Sequence, residues 1–421
     1  MAFDTAISGI NAATADLGVI GNNIANSSTT GFKSSKAEFG DVYASSLLGA
    51  GSNAIGKGVS LAGVTQTFTQ GNVSFTNNAL DLAINGNGFF VLSDKGAIEY
   101  TRAGNFQVNR EGFVVSNQGL RLQTFQANDR GDIGGQTGDL KLDTSLIDPK
   151  PTGQVNLTAT LDSRRASPAV PFGGPFDAFA VTPTAPDPDS FNATTSSTIY
   201  DGLGNAHVLS LYYVKTANPN EWEVHSLVDG VTTSGPDTLN FQSNGKFDPL
   251  TLPVEINITG WNPLNSAGLA TGATAQDFSV SMSQFTQFGT QFAVSSSLQD
   301  GFTTGQLHGL DVDDTGIVFA RYTNGQARAL GQVAIAGFAN SNGLQPLGDT
   351  SWAETYSSGA ATLGAPGTSG LGVLQSGALE GSNVDLTAQL VNMIVAQRNF
   401  QANAQVIQTE DTITQTVINL R

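Results

Sequence analysis

From residue 386 onward the apolar positions step Leu386, Leu390, Met393, Phe400, Ala404 and Ile407, a four-then-three spacing in which Gln397 fills the one polar slot. That spacing predicts a long helix with a narrow heptad seam. After Ile407 the stripe slips to Val406, Ile413, Val417 and Leu420, a phase shift of the kind that alters local supercoiling. At the other end of the chain Phe3, Ile7, Ile10, Leu17 and Ile24 fall on the same spacing, with Thr14 and Gly21 in the remaining slots. Two narrow seams at opposite termini predict one paired helical unit, coiled-coil-like. Asn22, Asn23 and Asn26, followed by Gly31, mark the end of the first helix, because Asn and Gly tolerate the left-handed conformation.

Between the termini the period changes to two. Phe89-Phe90-Val91-Leu92, Phe113-Val114-Val115 and Leu120-Arg121-Leu122 read as strands, separated by turn signals such as Asn85-Gly86 and Asn109-Arg110-Glu111-Gly112. A second β region follows, with alternation over 155–161, a tight turn Asp201-Gly202-Leu203-Gly204-Asn205 into 207–214, and further strands at 222–228 and 254–261. Asn324-Gly325 joins residues 319–323 to 326–330 as a hairpin. The proline-rich stretch 168–188 reads as a long irregular loop. The predicted fold is multidomain and mainly β, with paired terminal helices and two nested antiparallel β domains. Expected boundaries are 1–31 with 382–421 for the helices and 32–73 with 357–381 for Gly-rich connecting segments with little core. The first β domain is expected at 74–147 with 285–356, and the inserted second one at 148–284.

Composition narrows the function classes. Charged residues make up only 13% of the 421, about half the level usual in soluble domains, so the surface suits packing against other protein. With 18 basic against 35 acidic residues the formal net charge is −17, which argues against nucleic acid or an anionic membrane surface as partner. No apolar run approaches membrane-spanning length, so no membrane insertion is expected. There is no cysteine, which excludes disulfides and thiolate chemistry. The N-terminus shows no basic region followed by an apolar run, so export, if it occurs, is expected to leave it uncleaved.

Candidate chemistry is sparse. Asp311-Val312-Asp313-Asp314-Thr315-Gly316 starts like a calcium loop, but Tyr322 stands where the bidentate carboxylate belongs, and a turn is the better reading. Gly86-Asn87-Gly88 lacks the third glycine of a dinucleotide fingerprint. Arg130-Gly131-Asp132 in a Gly-rich stretch reads as a turn. His207, His225 and His308 are scattered, without partners at metal-ligand spacing, and read as structural. No catalytic residue, cofactor site or metal site is predicted, and the chain is not expected to be an enzyme. The C-terminal helix instead displays Gln389, Asn392, Gln397, Asn399, Gln401, Asn403, Gln405 and Gln408 where an exposed helix normally carries Lys and Glu. Uncharged amide faces imply lateral packing or a polar lumen.

The terminal motifs carry a resemblance. Asn22-Asn23-Ile24-Ala25-Asn26 with Thr29-Thr30-Gly31-Phe32-Lys33, and the run 377–386 leading into Met393-Ile394-Val395-Ala396-Gln397-Arg398-Asn399-Phe400, resemble the bacterial flagellar rod and hook family. Residues 80–90 and Tyr100-Thr101-Arg102-Ala103-Gly104-Asn105-Phe106 are similar to that family's first β domain. The insertion at about 146–284 points to the members that carry a second β domain rather than to distal rod members. The resemblance implies a subunit exported through the flagellar type III apparatus and assembled under a hook cap into a curved tube between rod and filament. Its implied partners are copies of itself in a helical homopolymer, rod proteins, the hook cap, hook-filament junction proteins and the export apparatus. The expected subunit-interaction residues are Phe3, Ile7, Ile10, Leu17, Asn22, Asn23, Ile24, Asn26, Gly31, Phe32, Leu386, Leu390, Met393, Gln397, Phe400, Ile407 and Val417. A distal rod subunit and a secreted β-rich adhesive protein remain the alternatives, the latter predicting a soluble monomer with a concave aromatic patch.

Overall fold

The computed structural model describes residues 2–42, 56–128, 131–143, 145–248 and 255–419. Residues 43–55, Arg130, Val254 and Leu420, for which sequence expectations were stated, lie outside them. The chain forms two compact units: Met1–Thr144 with His308–Arg321 and Ala327–Arg421, and Ser145–Leu307 with Tyr322–Gln326. Among the described residues no helix is long and apolar enough to cross a membrane.

In the first unit, helix α1 (Ala2–Ala25) and helix α2 (Leu386–Asn419) bracket a β region. Its main sheet runs through Ile317–Tyr322, Ala327–Val333, Arg121–Ala127, Phe89–Asp94, Ala97–Thr101 and Ser351–Ala353. The run Phe89-Phe90-Val91-Leu92 is apolar without alternation because both of its faces are covered. Phe90 and Leu92 join Leu82, Ile84, Leu122 and Val333 on one side. Phe89 and Val91 join Tyr100, Trp352 and Phe68 on the other, with Phe89 edge-on to Trp352 at 5.6 Å. The expected hairpin at Asn324-Gly325 is present, with Arg321 opposite Ala327 and Gly325 at φ 80°. Asp311 pairs with Arg321 and Asp313 Oδ1 accepts from the Ile317 amide, so both carboxylates serve that hairpin and its neighbouring turn.

Two boundaries differ from the sequence reading. The segments 32–73 and 357–381, expected as loose connections, form paired strands. Ser35–Asp41 pairs with Val59–Gln66, Val73–Phe75 with Ala378–Glu380, and Leu82–Asn85 with Val373–Ser376, all antiparallel. The partners of Val73–Phe75 and Leu82–Asn85 lie far off in the sequence, so local composition carries no trace of those two pairings. The second unit also extends to Leu307 rather than 284, because Ala293–Gln299 pairs antiparallel with Gln154–Asp162. That strand is Ser-rich and leaves Val294 and Leu298 exposed, which removes the alternation that would have marked it.

The second unit packs a four-stranded meander, 193–240, against a five-stranded sheet. Pairing is antiparallel except that Gln154–Asp162 runs parallel to Gln276–Ser281 and Thr286–Phe288. One core lies between the sheets, centred on Leu157, Leu161, Leu209, Tyr213, Trp222, Val280 and Phe285. The proline-rich stretch folds onto the meander: Phe176 exchanges backbone and hydroxyl hydrogen bonds with Thr232, and the Phe172 ring stacks on His225 at 4.1 Å. The turn expected at residues 201–205 is built by Asp201, whose carboxylate accepts from the amides of Leu203 and Asn205. His207 follows it, buried, with Nδ1 2.6 Å from Asp229 Oδ2.

Two predictions follow from this core. The Tyr213 hydroxyl is fully buried without a hydrogen-bond partner, so Tyr213→Phe should stabilise the unit by about 1 kcal/mol in urea unfolding; a loss of that size would contradict the orphaned hydroxyl. Burial alone would lower the His207 pKa, but the hydrogen bond and charge of Asp229, with Asp201 behind it, outweigh burial and raise it. A raised folded value means that His207 contributes stability below about pH 6.5, lost as pH rises through the folded pKa. His225, depressed by burial, has the opposite sign. The destabilisation caused by His207→Gln should therefore be larger at about pH 5.5 than at about pH 9.

Candidate subunit-interaction surface

Helix α2 begins at Asp385, whose Oδ1 accepts from the amides of Thr387 (2.9 Å) and Ala388 (3.1 Å), a cap that fixes where the chain turns helical. It runs antiparallel to α1, with Asn23 beside Gln389 and the Asn403 side chain lying over Gly9. A Cβ on Gly9 would come within 2.6 Å of Asn403 Oδ1, so glycine is what lets the helices approach there. The seam buried within the chain is made by Ala6, Ala13, Ile20 and Asn23 on α1 and by Ala396 on α2, flanked by the half-buried Met393, Asn403, Ala404 and Ile407.

This differs from the expected pairing. Ile10, Leu17, Ile24 and Met393 are half-buried, while Phe3, Ile7, Leu386, Leu390 and Phe400 are exposed, with Leu390 at 47% and Phe400 at 38%. Gln397 and Val417 are exposed as well. The heptad rule selects the largest apolar residues, whereas the two helices meet through their small ones. Val391, Ile394, Val395, Val406, Ile413 and Ile418 add to the outward apolar face. Most of the largest side chains therefore point away from the pair, while Ala6, Ala13 and Ala396 are buried in it together with Ile20.

The Asn and Gly residues at the end of α1 do more than stop a helix. Asn23 is buried, donates from Nδ2 to the Ser35 carbonyl at 2.7 Å and accepts the Ser35 amide at 2.8 Å, locking α1 to the first strand. Asn26 donates to the Asn22 carbonyl at 3.0 Å. Asn22, Asn26 and Phe32 line a polar cleft of about 580 Å³ together with Thr101, Gln118 and Asp349. Gly31 is buried at φ 71°, where a Cβ would meet the Ala103 amide at 2.5 Å, and its own amide donates to the Glu380 carbonyl.

Beside Gly31 lies a buried charge cluster that sequence reading passed over. Lys33 Nζ sits 2.6 Å from Glu380 Oε1, and Arg102 Nη1 lies 3.1 Å from Glu380 Oε2, with all three side chains almost wholly out of solvent. Further donors reach backbone carbonyls, Lys33 to Thr69 at 2.8 Å and Arg102 to Gly86 at 2.7 Å, while Arg102 Nε is buried without a partner. Glu380 Oε1 also accepts the Gly71 amide at 2.9 Å. Burial lowers the pKa of both Lys33 and Arg102 against the opposing pull of Glu380. The signal was present in the sequence, since all three residues fall inside the motifs that carried the resemblance. Their charges, however, are hundreds of positions apart.

Four family models match the chain in order: Flagella basal body rod protein (3–33), Flagellar hook protein FlgE/F/G D1 domain (83–157), Flagellar basal body protein FlaE D2 domain (160–302) and Flagellar basal body rod FlgEFG protein C-terminal (375–420). The chain is 40% identical to the flagellar hook protein FlgE of Salmonella typhimurium over 431 aligned positions, spanning 100% of both chains. It is 34% identical to that of Borreliella burgdorferi, over 99% of this chain and 98% of the relative. The chain belongs to the flagellar hook protein family. A crystal structure of Helicobacter pylori flagellar hook protein FlgE2 shares the fold, with a TM-score of 0.52 at 14% identity, covering 73% of this chain and 100% of that one. The hook family is a structural one of the bacterial flagellum, and the distal rod and adhesin readings fall to it.

In this hook-family chain Glu380 joins three separated segments, so removing it strands two buried cations. Glu380→Ala should cost about 3–5 kcal/mol in chemical unfolding of the first unit. Lys33→Met, which leaves Glu380 and Arg102 as a neutral pair, should cost less than half as much. Equal losses would show that the cluster does not act through Glu380.

Proposed function

We infer that the chain is a structural subunit that polymerises into the flagellar hook, a flexible joint transmitting torque from rod to filament. The carrying observation is the division of side chains on the helix pair: Ala6, Gly9, Ala13 and Ala396 face inward, while Leu390, Phe400, Ile7 and Phe3 face out. A pair that leaves its largest apolar residues exposed is complete only when further copies of the same pair cover them. The expected interaction residues then divide. Phe3, Ile7, Leu386, Leu390, Phe400 and Val417 meet neighbouring copies. Asn22, Asn23, Asn26, Gly31 and Phe32 hold the helix pair to the β region that carries it. Ile10, Leu17, Ile24, Met393 and Ile407 serve both sides of the seam. Gln397 and the other amides give a polar, uncharged lining suited to a lumen.

By family, the subunit leaves the cell uncleaved through the flagellar export apparatus, assembles beneath a cap, and abuts rod and junction proteins. No catalytic step is part of this reading.

Each outward Leu or Phe covered by a neighbour contributes roughly 1.5–3 kcal/mol, against an association cost of several kcal/mol per subunit. Leu390→Asp should therefore raise the concentration needed for tube formation about 100-fold, seen by negative-stain microscopy and sedimentation. Its unfolding free energy should stay within about 0.5 kcal/mol of the parent, because Leu390 is already exposed. Tubes of normal length at the usual concentration would refute the assignment of this face.

A further inference from the structure

Glycine follows asparagine at five places in the chain: residues 85–86, 87–88, 244–245, 324–325 and 342–343. Such a pair can modify itself. The glycine nitrogen attacks the side-chain Cγ of the asparagine, and a residue without a Cβ does not hinder ring closure. The fold decides whether this happens. The asparagine side chain must be free to swing back onto the main chain, and the glycine N–H must not be held in a hydrogen bond.

Four of the pairs have that N–H engaged. The amide of Gly245 donates to the Gln242 carbonyl at 2.9 Å, that of Gly325 to Tyr322 at 3.0 Å, that of Gly343 to Asn340 at 3.1 Å, and that of Gly86 to Gln70 Oε1 at 3.2 Å. Asn244 and Asn324 are also tied by their side chains, whose Oδ1 atoms accept the amides of Lys246 at 3.0 Å and Gln326 at 3.1 Å. Asn85 is fixed in a strand opposite Val373.

Asn87 differs on both counts. Its side chain is exposed, and among the described residues neither that side chain nor the Gly88 amide has a hydrogen-bond partner. The glycine after it is obligatory: Gly88 lies at φ 122°, where a Cβ would come within 2.3 Å of Ile335 Cγ2. Packing at the start of strand Phe89–Asp94 thus demands the one residue that makes Asn87 labile.

We propose that Asn87 is a site of spontaneous deamidation in the folded chain. The Gly88 nitrogen bonds to Asn87 Cγ while the Cγ–Nδ2 bond breaks; the proton leaving Gly88 passes through solvent to Nδ2, which departs as ammonia. Water then opens the cyclic imide to aspartate or its β-linked isomer. Asn87 and Gly88 line a cavity of about 510 Å³ that admits this water. Arg102 lines the same cavity, so the new carboxylate arises on the wall shared with a cluster that sets Lys33 and Arg102 against Glu380 alone.

The test incubates the full-length chain at mildly alkaline pH, folded and in urea, and maps the gain of one dalton at each asparagine by tandem mass spectrometry of its peptides. In the folded chain Asn87 should react at least about tenfold faster than any of the other four, and in urea the five rates should converge. Asn87→Gln should remove the early gain from the peptide that also carries Asn85. The proposal is overturned if Asn87 reacts no faster than the others in the folded chain, if its lead persists in urea, or if the early gain survives in Asn87→Gln.

Discussion

The first unit depends on one carboxylate. Glu380 lies in a short strand near the C-terminal helix, yet it takes a charge-assisted bond from Lys33, just after the N-terminal helix, and another from Arg102 in the β region. Each ion alone would be expelled by its desolvation cost; together they persist because Lys33 and Arg102 also reach the carbonyls of Thr69 and Gly86. Such a cluster adds little net stability compared with apolar packing of the same volume. What it supplies is a single permitted arrangement: the start, middle and end of the chain must meet there or leave charge buried and unpaired. Gly31, at positive φ and in contact with Ala103, brings the N-terminal segment close enough for Lys33 to reach.

That fixed meeting point gives the helices their register. Asn23 is tied to Ser35 two residues from Lys33, and Asn383, which accepts the Ser34 amide at 2.7 Å, lies three residues past Glu380. With both helices leaving one anchored site, an antiparallel pair follows, and small residues are what the short separation allows. Phe3, Ile7, Leu390 and Phe400 then lie outward for a geometric reason, since the close approach leaves little room inside beyond that taken by Ile20. The exposed face and the anchor are thus two consequences of the same close approach.

Much of this was legible in the sequence, and what was not has a physical reason. Both helices, most of the strands and the hairpin at Asn324-Gly325 announce themselves by period and turn chemistry, which are local. The pairing of the helices was legible too, but not its face: the spacing of Leu390 and Phe400 describes a seam, and a seam can be shared with another chain as well as with one's own. Strand Ala293–Gln299 escaped because an edge strand with exposed apolar residues has no alternation to read. The Lys33–Glu380–Arg102 cluster, and the His207 environment in the second unit, escaped because charge partners distant in sequence leave no periodic trace. Asp229, 22 residues beyond His207, and Asp201 become neighbours only through turn geometry.

The far end of α2 carries the argument furthest. Glu410 is the last half-buried residue, and 411–419 are exposed throughout, because α1 is shorter and, running antiparallel with Gly9 beside Asn403, its first turn reaches only to about the level of Glu410. This stretch is poor in helix formers: Thr412, Thr414 and Thr416 each turn their hydroxyl back to the carbonyl four residues earlier, a habit that does not favour the helix. Each Thr costs several tenths of a kcal/mol relative to Ala, and few charge pairs offset it. A helix so composed, without a partner, is marginal in water. Ile413, Val417 and Ile418 nevertheless line its exterior. Local energetics that do not sustain a helix, combined with apolar residues placed on helical spacing, make sense when the partner surface belongs to another copy.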